Sequence, residues 1–217
     1  MTAAMAVSGA LIGAAAPAHA DQWRDRQWHL DFLKAEQVHE ITKGEGVTVA
    51  VVDSGVDGNH PDLKGNVLKG MDFSGGGGNG WRDRDGHGTA MASLIAGNGH
   101  GSGNRDGTMG LAPEAKILPF RVGGGDPDNE DPLFDALDRA AYSEAKVINF
   151  SAQGGGTITA VETALAQGVV FVAAAGNTAQ DIDEVQQPAS YPGVIAVSGV
   201  DRDGNFTSES VKGPEVV

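Results

Sequence analysis

The stretch 47–52, Val-Thr-Val-Ala-Val-Val, narrows the possible folds more than any other part of this chain. A strand covered on one face alternates apolar and polar residues. A near-continuous β-branched run suits a strand buried on both faces of a parallel sheet. Similar runs recur at 115–122, 146–151, 169–174 and 194–200. Helical patterns lie between them at 88–97, 132–143 and 157–167, and another precedes them at 31–41. Strand, helix and strand repeated in this way predict an α/β domain: a doubly wound, mostly parallel sheet flanked by helices on both faces. Functional groups in such folds collect at the carboxyl ends of the strands, where candidate residues are therefore sought.

The 217 residues are 40% hydrophobic and 20% charged, enough for one domain with a sizeable core. Glycine, with 33 residues, is at about twice its ordinary share of roughly 7%. It clusters between the apolar runs, marking loops and tight turns. The absence of cysteine excludes a disulfide framework, a thiol nucleophile and a thiolate zinc site. A net charge of −14 repels phosphate backbones, which argues against nucleic acid as a partner and favours solubility outside the cell.

Residues 1–20 hold no Asp, Glu, Lys or Arg. The apolar run 4–16, then Pro17 and Ala18-His19-Ala20, has the form of an export signal cleaved after Ala20. The run is too short for a permanent bilayer span, and an abruptly polar stretch begins at Asp21. The usual Lys or Arg near the start is missing, so either the terminal amine supplies the only charge or the start codon lies upstream.

Asp53 closes the first buried run, in VAVVDSGVDGNHPDL (49–63). A carboxylate held there is rigid and shielded from water, and it needs hydrogen bonds or a partner that becomes cationic. His87 stands in DGHGTAMASLIAG (85–97) at the start of a predicted helix, flanked by Gly86 and Gly88, which let backbone and substrate come close. An Asp holding a His Nδ1–H, with Nε2 left free as base, is two thirds of a nucleophilic triad. Taken singly, an Asp at a strand end is more often a cap, and a His before a helix is more often structural.

Other motifs carry less. Residues 75–80 match G-x-G-x-x-G, but they run into Trp81-Arg82-Asp83-Arg84-Asp85-Gly86, a polar turn-rich stretch. A dinucleotide fingerprint must pass directly into a helix, so no nucleotide is expected. His39-Glu40 lacks the second His of a zinc-protease helix. The acidic loop 126–131 has the charge to hold calcium but lacks the central glycine and terminal glutamate of a calcium loop. It reads better as a solvated loop capping the next helix, and no metal or cofactor is expected.

In order and spacing, VAVVDSGVDGNHPDL, DGHGTAMASLIAG, GLAPEAKILPFRV (110–122), VINFSAQG (147–154), VVFVAAAGN (169–177) and YPGVIAVSGVD (191–201) resemble the subtilase family of serine endopeptidases, peptidase family S8. The resemblance covers about residues 28–217. The opening RQWHLD (26–31), leading almost at once into the core, looks like the mycosin branch associated with bacterial type VII secretion. The resemblance implies a subtilisin-like fold, with Asp53 as orienting acid, His87 as general base and Asn177 as oxyanion-hole donor. In subtilisin, loss of that donor costs about 10²–10³ in turnover. Without the resemblance Asn177 would read as a cap after a strand. The resemblance also implies that Ser151, Ala152, Gln153 and Gly154 form the edge that pairs with an extended substrate. Ala173, Ala174, Ala175 and Gly176 then form the other wall of the first specificity pocket. The family more often has glycine where Gln153 stands, and a side chain there narrows the cleft.

In this family the serine follows the acid and base, in a Gly-Thr-Ser-like motif that opens a helix beyond the strand ending near Val200. Neither Gly-Thr-Ser nor G-x-S-x-G occurs here, and Ser208 and Ser210 match nothing catalytic. The expectation is a signal at 1–20, an extension at 21–43 and a subtilase catalytic domain at 44–217, incomplete at its C-terminus and inactive as it stands. The parent would be a secreted or extracytoplasmic endopeptidase acting on protein or peptide substrates, membrane-tethered if the missing part carries an anchor. A second class also fits: a pseudoprotease that keeps the cleft for peptide binding or scaffolding. Retention of Asp53, His87 and Asn177 together favours an active parent.

Overall fold

A computed structural model describes residues 22–123, 131–152, 158–180 and 182–217. Three short helices, α1 (Gln22–Asp25), α2 (Trp28–Phe32) and α3 (Ala35–His39), precede the strand β1 (Thr48–Asp53). A brief β2 (Met71–Asp72) leads to α4 (His87–Ala96) and a hairpin of β3 (Asn98–His100) and β4 (Asp106–Met109). Then follow β5 (Lys116–Arg121), α5 (Pro132–Ala141), β6 (Val147–Phe150), α6 (Ile158–Ala166), β7 (Val170–Ala174) and β8 (Ile195–Val197).

Six strands form one sheet in the order β2-β5-β1-β6-β7-β8, every neighbouring pair parallel. Register and side-chain alternation divide the core into two layers. Val49 and Val51 of β1 and Ile117 of β5 face α4 and pack with Ala92 and Ala96. The alternate residues Ala50, Val52, Ile148, Phe150, Phe171 and Ala173 face the other way. They meet Leu137 and Ala140 of α5 and Ala160, Val161 and Ala164 of α6. The alanines let the helices lie close to the sheet, around the fully buried Phe150 and Phe171. Each of those rings contributes about 1.5–3 kcal/mol of transfer energy. The sheet is doubly wound, as the strand and helix patterns predict. Its α4 face continues over β7 and β8, where Val170, Ile195 and Val197 are 45%, 38% and 45% exposed.

Two expected elements differ. The helix expected at 31–41 is interrupted at Lys34, which takes a left-handed conformation (φ 56) and separates α2 from α3. Neither Leu33 nor Lys34 marks a break by propensity. The turn buries Ala35 and brings His39 Nε2 to the carbonyl of Leu111 (3.0 Å), a tertiary contact that overrides local preference. The strand expected at 194–200 is confined to Ile195–Val197. Beyond it the chain turns back on itself through an antiparallel bridge between Val200 and Phe206. Residues 1–20, residues 126–130 of the acidic loop, and Gln153 and Gly154 lie outside the described residues. Asp131, the last of the acidic loop, caps α5 by accepting from the Phe134 N–H (2.9 Å), with Pro132 in the first turn.

The N-terminal extension is fastened to the β3–β4 hairpin by side chains that imitate a strand. The Gln27 carboxamide donates to the carbonyl of Met109 (2.9 Å) and accepts from its N–H (2.8 Å). Arg24 Nε donates to the carbonyl of Gly107 (3.0 Å). Replacing Gln27 with Ala removes both bonds to Met109 and should cost about 1–2 kcal/mol locally. Amide hydrogen exchange at Met109 is expected to accelerate by roughly tenfold, with faster limited proteolysis between residues 22 and 43. Unchanged exchange at Met109 would show that the extension is held by something else.

Candidate active site

Asp53 is the last residue of β1, so the parallel sheet delivers its carboxylate to the carboxyl edge, where it is 4% exposed. Its Oδ1 accepts from the Ser54 N–H (2.7 Å) and from His87 Nδ1 (2.9 Å), and Oδ2 lies 3.0 Å from the same nitrogen. An ionised carboxylate only accepts, so Nδ1 carries the proton and the neutral ring keeps a lone pair on Nε2. His87 opens α4 behind Gly86, whose φ of 93 is a left-handed conformation that favours glycine. At Gly88 a Cβ would stand 2.1 Å from the Gly55 carbonyl oxygen and 3.1 Å from Asp53 Cβ. The start of the helix is pressed against the end of the strand, and only glycine admits that approach.

Asn177 follows β7 and lies beyond the carboxyl end of that strand, in the same sheet whose β1 ends at Asp53. Its Oδ1 accepts from the Ala179 N–H (2.8 Å), which leaves the carboxamide NH2 as the end available to a ligand. The turn is braced from the C-terminal side: Thr178 donates its N–H to the Glu209 carbonyl (3.0 Å) and its hydroxyl to the Ser208 carbonyl (3.0 Å). Ser151 and Ala152 continue β6, which separates β1 from β7, so they stand between the Asp53 and Asn177 strands. Ser151 Oγ accepts from Asn149 Nδ2 (2.9 Å). Ala173 and Ala174 belong to β7, with the Ala173 side chain in the core. Ala175 donates to the Val197 carbonyl and accepts from Gln186, and Gly176 has a φ of 127. Ser210 is buried and bonded to Thr207 and to the Gly199 carbonyl, with its hydroxyl engaged.

Sequence reasoning missed the residues that support this edge. Asp83, in the polar stretch before His87, receives five hydrogen bonds. Oδ1 accepts from Ser54 Oγ (3.0 Å), Asp85 N (3.1 Å) and Gly86 N (2.8 Å). Oδ2 accepts from Thr89 N (2.9 Å) and Thr89 Oγ1 (2.5 Å). Burial pushes the Asp83 carboxyl up, but the bonds from Thr89, Gly86 and Ser54 outweigh it and hold the group below the ordinary carboxylate range. Asp72 behaves alike: burial raises it, and the bonds from Ser74 and Arg121 bring it below its ordinary value. Arg121 pairs with Asp72 (2.8 Å) and donates from Nε to the Ser54 carbonyl (3.1 Å). The available signal was the spacing of Asp83, two and three residues before the N–H groups of Asp85 and Gly86, which is that of an Asx turn.

A second aspartate–histidine pair has a different setting. Asp62 accepts from His100 Nδ1 (2.6 Å) and from the Thr108 N–H (2.9 Å), so it joins the turn Pro61–Leu63 to the β3–β4 hairpin. Among the described residues no three His, Asp or Glu side chains assemble a metal site. None of the described helices is long and apolar enough to cross a membrane.

A parallel sheet that delivers a buried aspartate to an imidazole at the head of a glycine-flanked helix defines the hydrolase class of aspartate–histidine serine peptidases. Residues 44–217 match the subtilase family, and the chain belongs to it. It is 36% identical over 207 residues to thermitase of Thermoactinomyces vulgaris, covering 88% of this chain and 68% of thermitase. It is 31% identical over 242 residues to mycosin-1 of Mycolicibacterium smegmatis, covering 88% of this chain and 53% of mycosin-1. Of fervidolysin from Fervidobacterium pennivorans it spans 28%. The crystal structure of MycP1 with its N-terminal propeptide removed superposes with a TM-score of 0.72 at 31% identity, over 87% of this chain and 68% of that one. The mycosin-like character of the opening segment agrees with these two mycosin matches. Subtilases are serine peptidases, so the family acts on protein substrates.

The lowered carboxylates of Asp72 and Asp83 set an acid limit. A group whose folded value lies below its unfolded value of about 3.9 stabilises the fold above that pH, and the stabilisation is lost as pH falls through the folded value. The contribution of these two carboxylates is expected to be complete above about pH 5 and to be lost below about pH 4, which steepens the acid-side fall of the thermal midpoint. Asp72→Asn should lower the midpoint at neutral pH and flatten that acid slope. A midpoint equally low in parent and variant at neutral pH would exclude the ion pair as a stabilising element.

Proposed function

We propose that this chain supplies the acid, the base and the oxyanion donor of an exported serine endopeptidase. The observation that carries the reading is the Asp53–His87 pair, with a buried carboxylate 2.9 Å from Nδ1 of a ring whose side chain is 45% exposed. Asp53 holds the imidazole in the Nδ1–H tautomer. Nε2 then takes the proton of a serine hydroxyl as its oxygen attacks the peptide carbonyl, and later gives that proton to the leaving amine. Asn177 donates its NH2 to the oxygen that becomes negative in the tetrahedral intermediate. Ser151 and Ala152 run beside an extended substrate and pair with its backbone, while Ala173, Ala174, Ala175 and Gly176 form the wall of the first specificity pocket.

No Gly-Thr-Ser motif occurs in the sequence, and on this reading the serine nucleophile is supplied by residues outside it. Export is supported by the charge-free apolar run at 4–16 and the Ala18-His19-Ala20 site. A related MycP1 structure is described as part of the ESX-1 type VII secretion system, which supports an extracytoplasmic setting.

The test is to assay the 217-residue chain beside a version completed through its downstream reading frame, on a peptide chromogen with a serine-directed inhibitor. The completed chain should turn over substrate in an inhibitor-sensitive way, and the shorter chain should not. In the completed chain His87→Ala should lose about 10⁶-fold in kcat, as the corresponding loss runs in subtilisin, and Asp53→Asn about 10⁴-fold, as in chymotrypsin-type triads. Inhibitor-sensitive turnover by the 217-residue chain would sink the proposal, and so would a completed chain indifferent to His87→Ala.

A further inference from the structure

We propose that Asp83 is the positioning residue of the Asp53–His87 pair, setting the separation between the end of β1 and the start of α4. The inference rests on the dyad reading above and extends it to a residue that does not touch substrate.

The reasoning begins with what the dyad lacks. Among the described residues the His87 ring makes hydrogen bonds through Nδ1 only, and its side chain is 45% exposed. Its distance from Asp53 therefore depends on two backbone segments about thirty residues apart, Ser54 on one side and Gly86 to Thr89 on the other. Asp83 binds both. Its Oδ1 takes the Ser54 hydroxyl together with the Gly86 N–H, and its Oδ2 takes both the N–H and the hydroxyl of Thr89. Two further bonds close the clamp: Gly88 donates its N–H to Ser54 Oγ (3.0 Å), and Asp57 donates its N–H to Thr89 Oγ1 (2.9 Å). These two bonds join the strand-end loop directly to the first turn of α4, and Asp83 ties the two together through its own oxygens.

The clamp requires a carboxylate. Both oxygens face donors only, and an ionised carboxylate accepts at both. An amide of the same shape must turn its NH2 toward at least one of those N–H or O–H groups, and the bonds that remain lose their charge assistance. The contact at Gly88 leaves little slack, since a single added carbon would collide with Gly55. A loosened clamp therefore separates Asp53 from His87 rather than letting them close further.

The experiment uses the 217-residue chain with Asp83→Asn, Asp53→Asn and Asp62→Asn. The first readout is the strongly downfield proton resonance of an imidazole N–H shared with a carboxylate, assigned to His87 by its loss in Asp53→Asn. The second is amide exchange at Gly88 and Thr89, and circular dichroism checks that each variant is folded. The parent should show the resonance, and Asp62→Asn should keep it, since that change weakens a buried carboxylate away from the dyad. Asp83→Asn should lose or broaden it while still folded, with Gly88 and Thr89 exchanging at least about tenfold faster. A parent-like resonance and parent-like exchange in folded Asp83→Asn overturn the inference and leave the dyad intact. A parent without the resonance, or a resonance that survives Asp53→Asn, overturns the dyad and this inference with it. If Asp83→Asn does not fold, Ser54→Ala decides. It removes one bridge, and it should broaden the resonance and speed exchange at Gly88, whereas parent-like behaviour in that variant overturns the proposal.

Discussion

Asp53 ends a strand that has neighbours on both sides, in a sheet that has helices on both faces, and almost none of it reaches water. An ionised carboxylate in that position costs several kcal/mol unless its charge is answered by donors. Among the described residues two groups answer it, a peptide N–H from the next residue and an imidazole N–H from His87. The second donor has to arrive from another segment, and that requirement shapes the surroundings. Helix α4 must begin where its first side chain reaches back to β1, so glycine is needed both at the turn into it and at its second position.

Ser54 is the residue through which the surroundings act. Its carbonyl is held by Arg121, itself paired with Asp72 at the far side of β5, and its hydroxyl is held by Asp83. Two carboxylates, one at the end of β2 and one in the turn before α4, therefore converge on the residue next to the buried aspartate, one through an arginine and one directly. Both lie below their ordinary titration range because the bonds they receive outweigh the cost of burial. The carboxyl edge of the sheet is rigid for electrostatic reasons, while the layers beneath it are rigid for apolar ones.

Much of this was legible in the residues. The run 47–52 gave a strand displaced by one residue, and the helices expected at 88–97 and 132–143 match α4 and α5 to within two residues at each end. Continuous apolar runs and helical spacing survive in any context because they describe what is buried. Asp53 and His87 were legible through their motifs, and the structure brings them into contact. The break at Lys34 was not legible, because a left-handed lysine is imposed by tertiary contacts. The role of Asp83 was hidden for a different reason. The stretch 81–86 has no periodicity, and a carboxylate in a polar turn looks solvated until the donors from Ser54 and Thr89 are placed around it. Gln27 was hidden in the same way, since a carboxamide that replaces a strand partner leaves no trace in hydropathy.

The orientation of the hydroxyls around the pair has a consequence for proton traffic. Ser54 must point its hydrogen at Asp83, because a carboxylate has none to give, and its lone pair is then taken by the Gly88 N–H. Thr89 is committed in the same sense, hydrogen toward Asp83 and lone pair toward the Asp57 N–H. No hydroxyl in the network is free to relay a proton inward. Among the described residues, Asp53 itself receives only a peptide N–H besides the imidazole, and a peptide N–H does not titrate. The imidazole is wired as a one-door chamber: whatever proton it gains or loses must pass through Nε2, on the side open to solvent and substrate.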